Sequence, residues 1–88
     1  MFDKPSKDFI DSIVTQCIAN FTQEDIALIK KHPQDSLDHF GYGLYIRNHY
    51  LYNNPYIVEH GFYNIDGISS IIIEEIKFRI VPGYEKEY

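Results

Sequence analysis

The sequence predicts an all-α protein, a compact small bundle of four to five helices that assembles as a homo-oligomer. Three observations predict it. Apolar residues recur at steps of three and four, helix-start and helix-stop residues punctuate the chain, and 88 residues carry eight Tyr and six Phe. A chain this short buries only around 60% of its unfolded surface. An aromatic fraction of 16% is therefore a heavy load. The surplus is expected to be covered by a second copy, a partner or a ligand, with self-association favoured. One helical domain over 1–88 is expected, with 82–88 as a loose, charged tail.

The first helix is read in "SKDFIDSIVTQCIANF". Ser6 can cap it, and Phe9, Ile10, Ile13, Val14, Cys17, Ile18 and Phe21 share one face. "TQEDIALIKKHP" gives the second, with Thr22 as cap and Asp25 three residues on, close to a capping box. Acids fill its first turn and Lys30, Lys31 and His32 its last, which suits the helix dipole. Pro33 stops it. Ser36 is expected to cap a third helix, with Leu37, Phe40, Leu44 and Leu51 facing inward. Gly41 and Gly43 lie inside it at a cost of about 1 kcal/mol each relative to alanine. Such a cost implies close approach to the backbone, by another helix or by a flat ligand. "NNPYIVEHG" fits a fourth helix, with Asn54 as cap, Pro55 first and Gly61 as stop. "DGISSIIIEEIKFRIVPG" has isoleucines that favour strand. Its length and the spacing of Ile68, Ile72, Ile76 and Ile80 favour a fifth helix, capped by Asp66 and buried on two sides.

The formal charge of −5 argues against binding duplex nucleic acid, which needs a basic face, but leaves small anions open. A lone cysteine excludes an intrachain disulfide, and Cys17 reads as a buried small hydrophobe. No signal peptide and no membrane-length apolar run is read, so a cytoplasmic protein without membrane contact is expected. His32, His39, His49 and His60 form no metal-ligand spacing, and no metal or cofactor is expected. His39 and Arg47 stand eight apart, a pairing that can serve phosphodiester chemistry, yet no second base or nucleophile motif accompanies them. "GYGLY" lacks the strand and third glycine of a phosphate loop. No catalytic residue is assigned and no enzyme is expected.

A binding constellation reads better. Lys30, Lys31, Arg47 and His49 supply cationic or polar donors, and Phe9, Tyr42, Tyr45 and Tyr50 supply flat rings. Base stacking on an aromatic contributes about 1–3 kcal/mol per base. A hydrogen bond to a charged group contributes about 1.5–3 kcal/mol. The plain alternative is that the rings fill the core and the basic groups form surface pairs.

The stretch from Phe21, Thr22, Glu24, Asp25 and Ile26 to His39, Phe40, Gly41, Gly43, Ile46, Arg47 and Asn48 resembles a family of small helical proteins of uncharacterised function. Its pattern is F-T-x-E-(D/E)-I followed by H-F-G-x-G-x-x-I-R-N. Length and composition also make the chain similar to the phage proteins that sequester the cyclic nucleotides of bacterial CBASS immunity. That resemblance implies a helical oligomer in a host-cell cytoplasm. It would bind cyclic dinucleotides such as cGAMP, and cyclic trinucleotides, between subunits without cleaving them. A ring on the first helix would stack on a base, a role that falls to Phe9, and a lysine would reach phosphate, a role that falls to Lys30 or Lys31. Tyr45, Arg47 and His49 complete the expected ligand-binding set. Two other readings stand beside it: an acidic inhibitor or immunity protein that blocks a basic partner such as a nuclease, and a ribonuclease-like toxin using His39 and Arg47.

Overall fold

The computed structural model describes residues 4–34, 37 and 41–86, and among them five α-helices and one π-helical turn, with no strand. Helix α1 spans Lys7–Asn20. The Ser6 hydroxyl accepts from the Phe9 amide at 3.2 Å, satisfying one of the donors a helix start leaves open. Ile10, Ile13, Val14 and Cys17 are buried, as the periodicity predicts. Helix α2 spans Gln23–Lys31 behind a complete capping box. The Asp25 amide donates to Thr22 Oγ1 at 3.0 Å, and the Thr22 amide donates to Asp25 Oδ2 at 2.9 Å. Aspartate thus closes the box that glutamate or glutamine usually closes.

The third expected helix is reorganised. Gly41 adopts φ +66°, a left-handed conformation that ends any helix running into it, and α3 begins afresh at Tyr42–Ile46. It passes directly into a π-helical turn, Arg47–Leu51, in which the Tyr52 amide donates to the Arg47 carbonyl five residues back at 2.8 Å. The expected inward stripe is corrected accordingly. Leu44 is 54% exposed, whereas Ile46 and Leu51 are fully buried. Helical phase counted from Leu37 does not survive the break at Gly41, and the wider turn aligns residues five apart instead. Leu37 is buried as expected; Ser36, His39 and Phe40 lie outside the described residues.

Helix α4, Pro55–His60, starts with Asn54 Oδ1 accepting from the Tyr56 amide and stops at Gly61, φ +69°, as predicted. Helix α5, Ile65–Ile80, is capped by Asn64 rather than by Asp66. Asn64 Oδ1 accepts from the Gly67 amide at 3.1 Å, which leaves the Asp66 carboxylate for another partner. This helix packs against α1, α2, α3 and the π turn and buries Ile68, Ile71, Ile72, Ile73, Ile76 and Ile80. Contact on several sides explains why its sequence is apolar nearly all round. The radius of gyration, 12.8 Å, is near the ~12 Å of a compact chain of this length. The expectation of a loose tail is corrected over its described residues: Tyr84 Oη donates to Glu74 at 2.8 Å and Lys86 Nζ to Glu75 at 2.7 Å, which ties this segment to α5.

Candidate functional site

Two ring clusters stand out among the described residues. In the first, Phe9 on α1 stacks on Tyr56 of α4 at 4.3 Å and 16°, and Tyr56 meets His60 and Phe62. The Tyr56 hydroxyl accepts from the Ser6 amide at 3.0 Å, so this cluster pins the start of α1 to α4. In the second, Phe21, Tyr42, Tyr45 and His49 follow one another at centroid distances of 5.3, 5.1 and 4.0 Å. Tyr50 stands edge-on to Tyr45 at 6.3 Å. Tyr45 belongs to α3 and His49, four residues on, to the π turn, so their stacking spans the junction of the two. A carbonyl oxygen can only accept, so the 3.0 Å contact between His49 Nδ1 and the Tyr45 carbonyl fixes the proton on Nδ1. The outer nitrogen, Nε2, is then an acceptor in the neutral ring.

The second cluster borders a crevice of about 250 Å³ between the end of α1, α2 and α3. Asn20 and Phe21 contribute from the first, Leu28, Ile29 and Asp25 from the second, Tyr42 and Tyr45 from the third, with Leu37 at its side. The floor is apolar and the walls are ring faces. Beneath it, burial pushes the Cys17 thiol and the Tyr42 phenol above their usual ranges, and Tyr50 is raised for the same first reason. These groups are neutral at physiological pH.

The structure brings only part of the expected site together. Tyr45 lines the crevice and His49 stacks on it. Lys30 and Lys31 close α2 one and two residues after Ile29, are exposed, and make no ion pair among the described residues. Phe9 is elsewhere, in the Tyr56 cluster. Arg47 is spent within the chain: Nε lies 3.3 Å from Asp66 Oδ1 and Nη1 donates to Ser69 Oγ at 3.2 Å. Gly43 accommodates that arrangement. A β-carbon there would stand 3.2 Å from Arg47 Nη1 and 3.6 Å from Ile73 Cδ1. Of the two reasons the sequence suggested for this glycine, close approach of another helix is the one observed.

Sequence reasoning missed Phe21, Leu28 and Ile29 as crevice residues, because a helix stripe does not distinguish a side chain in the core from one at a groove edge. It also missed a second crevice of about 280 Å³ bordered by Lys4, Lys7, Asp11, Glu75 and Lys86. Lys7 pairs there with Asp11 at 3.1 Å, which holds the Asp11 carboxyl below its usual range, and Lys86 pairs with Glu75. Among the described residues no group of three or more His, Cys, Asp or Glu is placed to hold a metal ion, and no helix is long and apolar enough to cross a membrane. No protein-family model, curated protein or solved structure matches the chain.

Proposed function

We propose that this protein acts by stoichiometric binding without turnover, sequestering a cyclic di- or trinucleotide whose bases stack in the crevice between α2 and α3. The observation that carries this reading is the ring series Phe21–Tyr42–Tyr45–His49 along a groove of about 250 Å³. Pockets for drug-sized ligands run to about 300–1,000 Å³. The groove therefore has room for one base and not for a whole cyclic dinucleotide. The remainder of the ligand would be covered by a second copy of the chain, which ties the binding reading to the expected homo-oligomer. Each stacked base contributes about 1–3 kcal/mol. Contacts from Lys30 or Lys31 to phosphate would add to it, toward the roughly −12 kcal/mol of a nanomolar complex. Base edges that carry an amino group suit the Asp25 carboxylate at the rim. Antagonism of CBASS signalling is the setting this activity would serve.

A second reading, an acidic inhibitor of a basic protein, is favoured by a separate observation. Leu44, Tyr45 and Tyr52 are 54%, 36% and 50% exposed on α3 and the segment after it, in a chain of net charge −5. Tyrosine-rich apolar patches of this sort anchor protein interfaces.

Calorimetry of the full chain with cyclic di-AMP, cyclic di-GMP and cGAMP separates the two. Binding, with intact nucleotide recovered after denaturation and loss of at least tenfold in affinity in Tyr45→Ala, supports sequestration. No heat with any nucleotide, together with a basic protein held stoichiometrically in a pull-down, favours the inhibitor. A cleaved product would refute both.

A further inference from the structure

The π turn that carries His49 is tied to α5 through its first residue, Arg47. Arg47 reaches from the turn to the first turns of α5, where its guanidinium meets Asp66 Oδ1 and Ser69 Oγ. The Ser69 hydroxyl donates in turn to the Asp66 carbonyl at 2.8 Å, so it accepts from Arg47 with its own proton already placed. Gly43 leaves the space in which the end of Arg47 lies, and Ser69 is 1% exposed, so the clasp closes against the core. A π turn is a strained alternative to the α-helix that persists where its surroundings impose it, often at functional positions. Relaxation to α-helical register would rotate the residues after Ile46 relative to Tyr45, and with them the ring of His49.

We infer that Arg47 is a positioning residue: clasped to Asp66 and Ser69, it holds the π turn in the register that stacks His49 on Tyr45 at the edge of the crevice. This rests on the crevice being the binding site, and it reassigns Arg47 from contacting a phosphate to shaping the ring series that a base would join. The clasp is made of one exposed carboxylate, one buried hydroxyl and one partly buried guanidinium, and the two α5 partners share a helix face at positions three apart. Loss of either partner should therefore mimic loss of Arg47 itself.

The test reads His49 directly. Its carbon-bound ring protons lie over the Tyr45 ring at a centroid distance of 4.0 Å, so they are expected upfield of free histidine in the proton NMR spectrum. Tyr45→Leu, which removes that ring, assigns the effect. Arg47→Ala, Asp66→Ala and Ser69→Ala are expected to move these protons back toward free-histidine values while thermal unfolding remains cooperative, and Arg47→Lys is expected to restore part of the shift. Cyclic di-GMP binding, titrated in parallel, should weaken about tenfold in Arg47→Ala. Upfield His49 protons retained in a folded Arg47→Ala would overturn the inference. Should that variant not fold, the milder Asp66→Ala and Ser69→Ala decide the same point. Wild-type protein that binds no nucleotide would remove the functional reading alone, because the ring shifts still judge the clasp.

Discussion

Gly41 and Gly43 stand two residues apart and should respond to the same substitution in different ways. Gly41 has φ +66°, and nothing lies within 4 Å of where a β-carbon would go. Alanine there meets no neighbour but must hold the left-handed region, which costs an L-residue roughly 1–2 kcal/mol. The unfolded chain loses freedom on the same change, which returns about 0.4–1 kcal/mol. Taken at their central values, about 1.5 and about 0.7 kcal/mol, the two terms leave a net loss of about 0.8 kcal/mol for Gly41→Ala. At about 4–8 °C per kcal/mol for a domain of this size, Tm should fall by about 3–6 °C. Gly41→Asn should fall less, since asparagine tolerates the left-handed region. Gly43 is helical, so alanine gains up to about 1 kcal/mol of propensity. Its β-carbon must push Arg47 Nη1 from 3.2 Å, weakening the bond to Ser69 by a similar amount, and the two effects should nearly cancel. Gly43→Leu, driven against Ile73, should cost about 1–3 kcal/mol. Thermal unfolding followed by circular dichroism measures all four. A Gly41→Ala protein as stable as wild type, or an order in which Gly43→Ala is the more damaging, would refute the assignment of a conformational role to one glycine and a packing role to the other.

Cys17, Tyr42 and Tyr50 all have raised pKa values, chiefly through burial, from usual values of 9.0, 10.0 and 10.0. Below pH 9 both folded and unfolded chains keep these protons. Above it the unfolded chain releases them first, so stability should decline as pH rises through 9 and beyond 10, and Tyr42→Phe should blunt that decline in chemical denaturation run from pH 8 to 11. Lys77 is buried, 3.4 Å from Glu74 and beneath the Tyr84 ring at 6.0 Å. Glu74→Ala, which leaves the ammonium buried, and Lys77→Met, which leaves the carboxylate largely buried, should each cost about 3–5 kcal/mol, whereas the double change Glu74→Leu/Lys77→Met should cost well under their sum; urea denaturation in which the two single costs simply add would contradict the ion-pair account. Leu44→Glu, at a 54% exposed position, should leave Tm within a degree or two and yet reduce the mass measured by light scattering if copies of the chain meet over α3. An unchanged mass would move the interface elsewhere.

Local signals carried most of the helix boundaries. Thr22 with Asp25, Asn54 with Pro55, and Gly61 each do what their chemistry allows at a helix end, and the isoleucines of α5 resolve from strand-like composition into a helix because neighbours cover it on several sides. The cap of α5 was misread by two residues because Asn64 and Asp66 are both good capping residues. With Asn64 as the cap, the Asp66 carboxylate meets Arg47, which lies 19 positions upstream in sequence, a pairing that no local signal reveals. The stretch from Gly41 to Leu51 was the least legible for the same kind of reason. Either glycine reads as a helix defect, but which is a break and which a contact is decided by φ at one and by Arg47 at the other.

The candidate site shows where such reading ends. Ring content predicted a surplus; among the described residues seven of the Phe and Tyr rings gather in a pinning cluster around Tyr56 and a series beside the groove that ends at His49, while Tyr52, Tyr63 and Phe78 are exposed. Composition counts both alike. Phe9 and Tyr45 were equivalent candidates until α1 was placed against α4, since a ring stacked in a fold and a ring free to receive a ligand have the same sequence signature. Arg47 follows the same logic with charge. A cation near rings suggests an anion site, but a carboxylate and a hydroxyl within 3.3 Å and 3.2 Å satisfy it already. Lys30 and Lys31, at the end of the helix that walls the groove, make no ion pair among the described residues, so under the binding proposal a phosphate belongs near the end of α2 rather than beside the π turn.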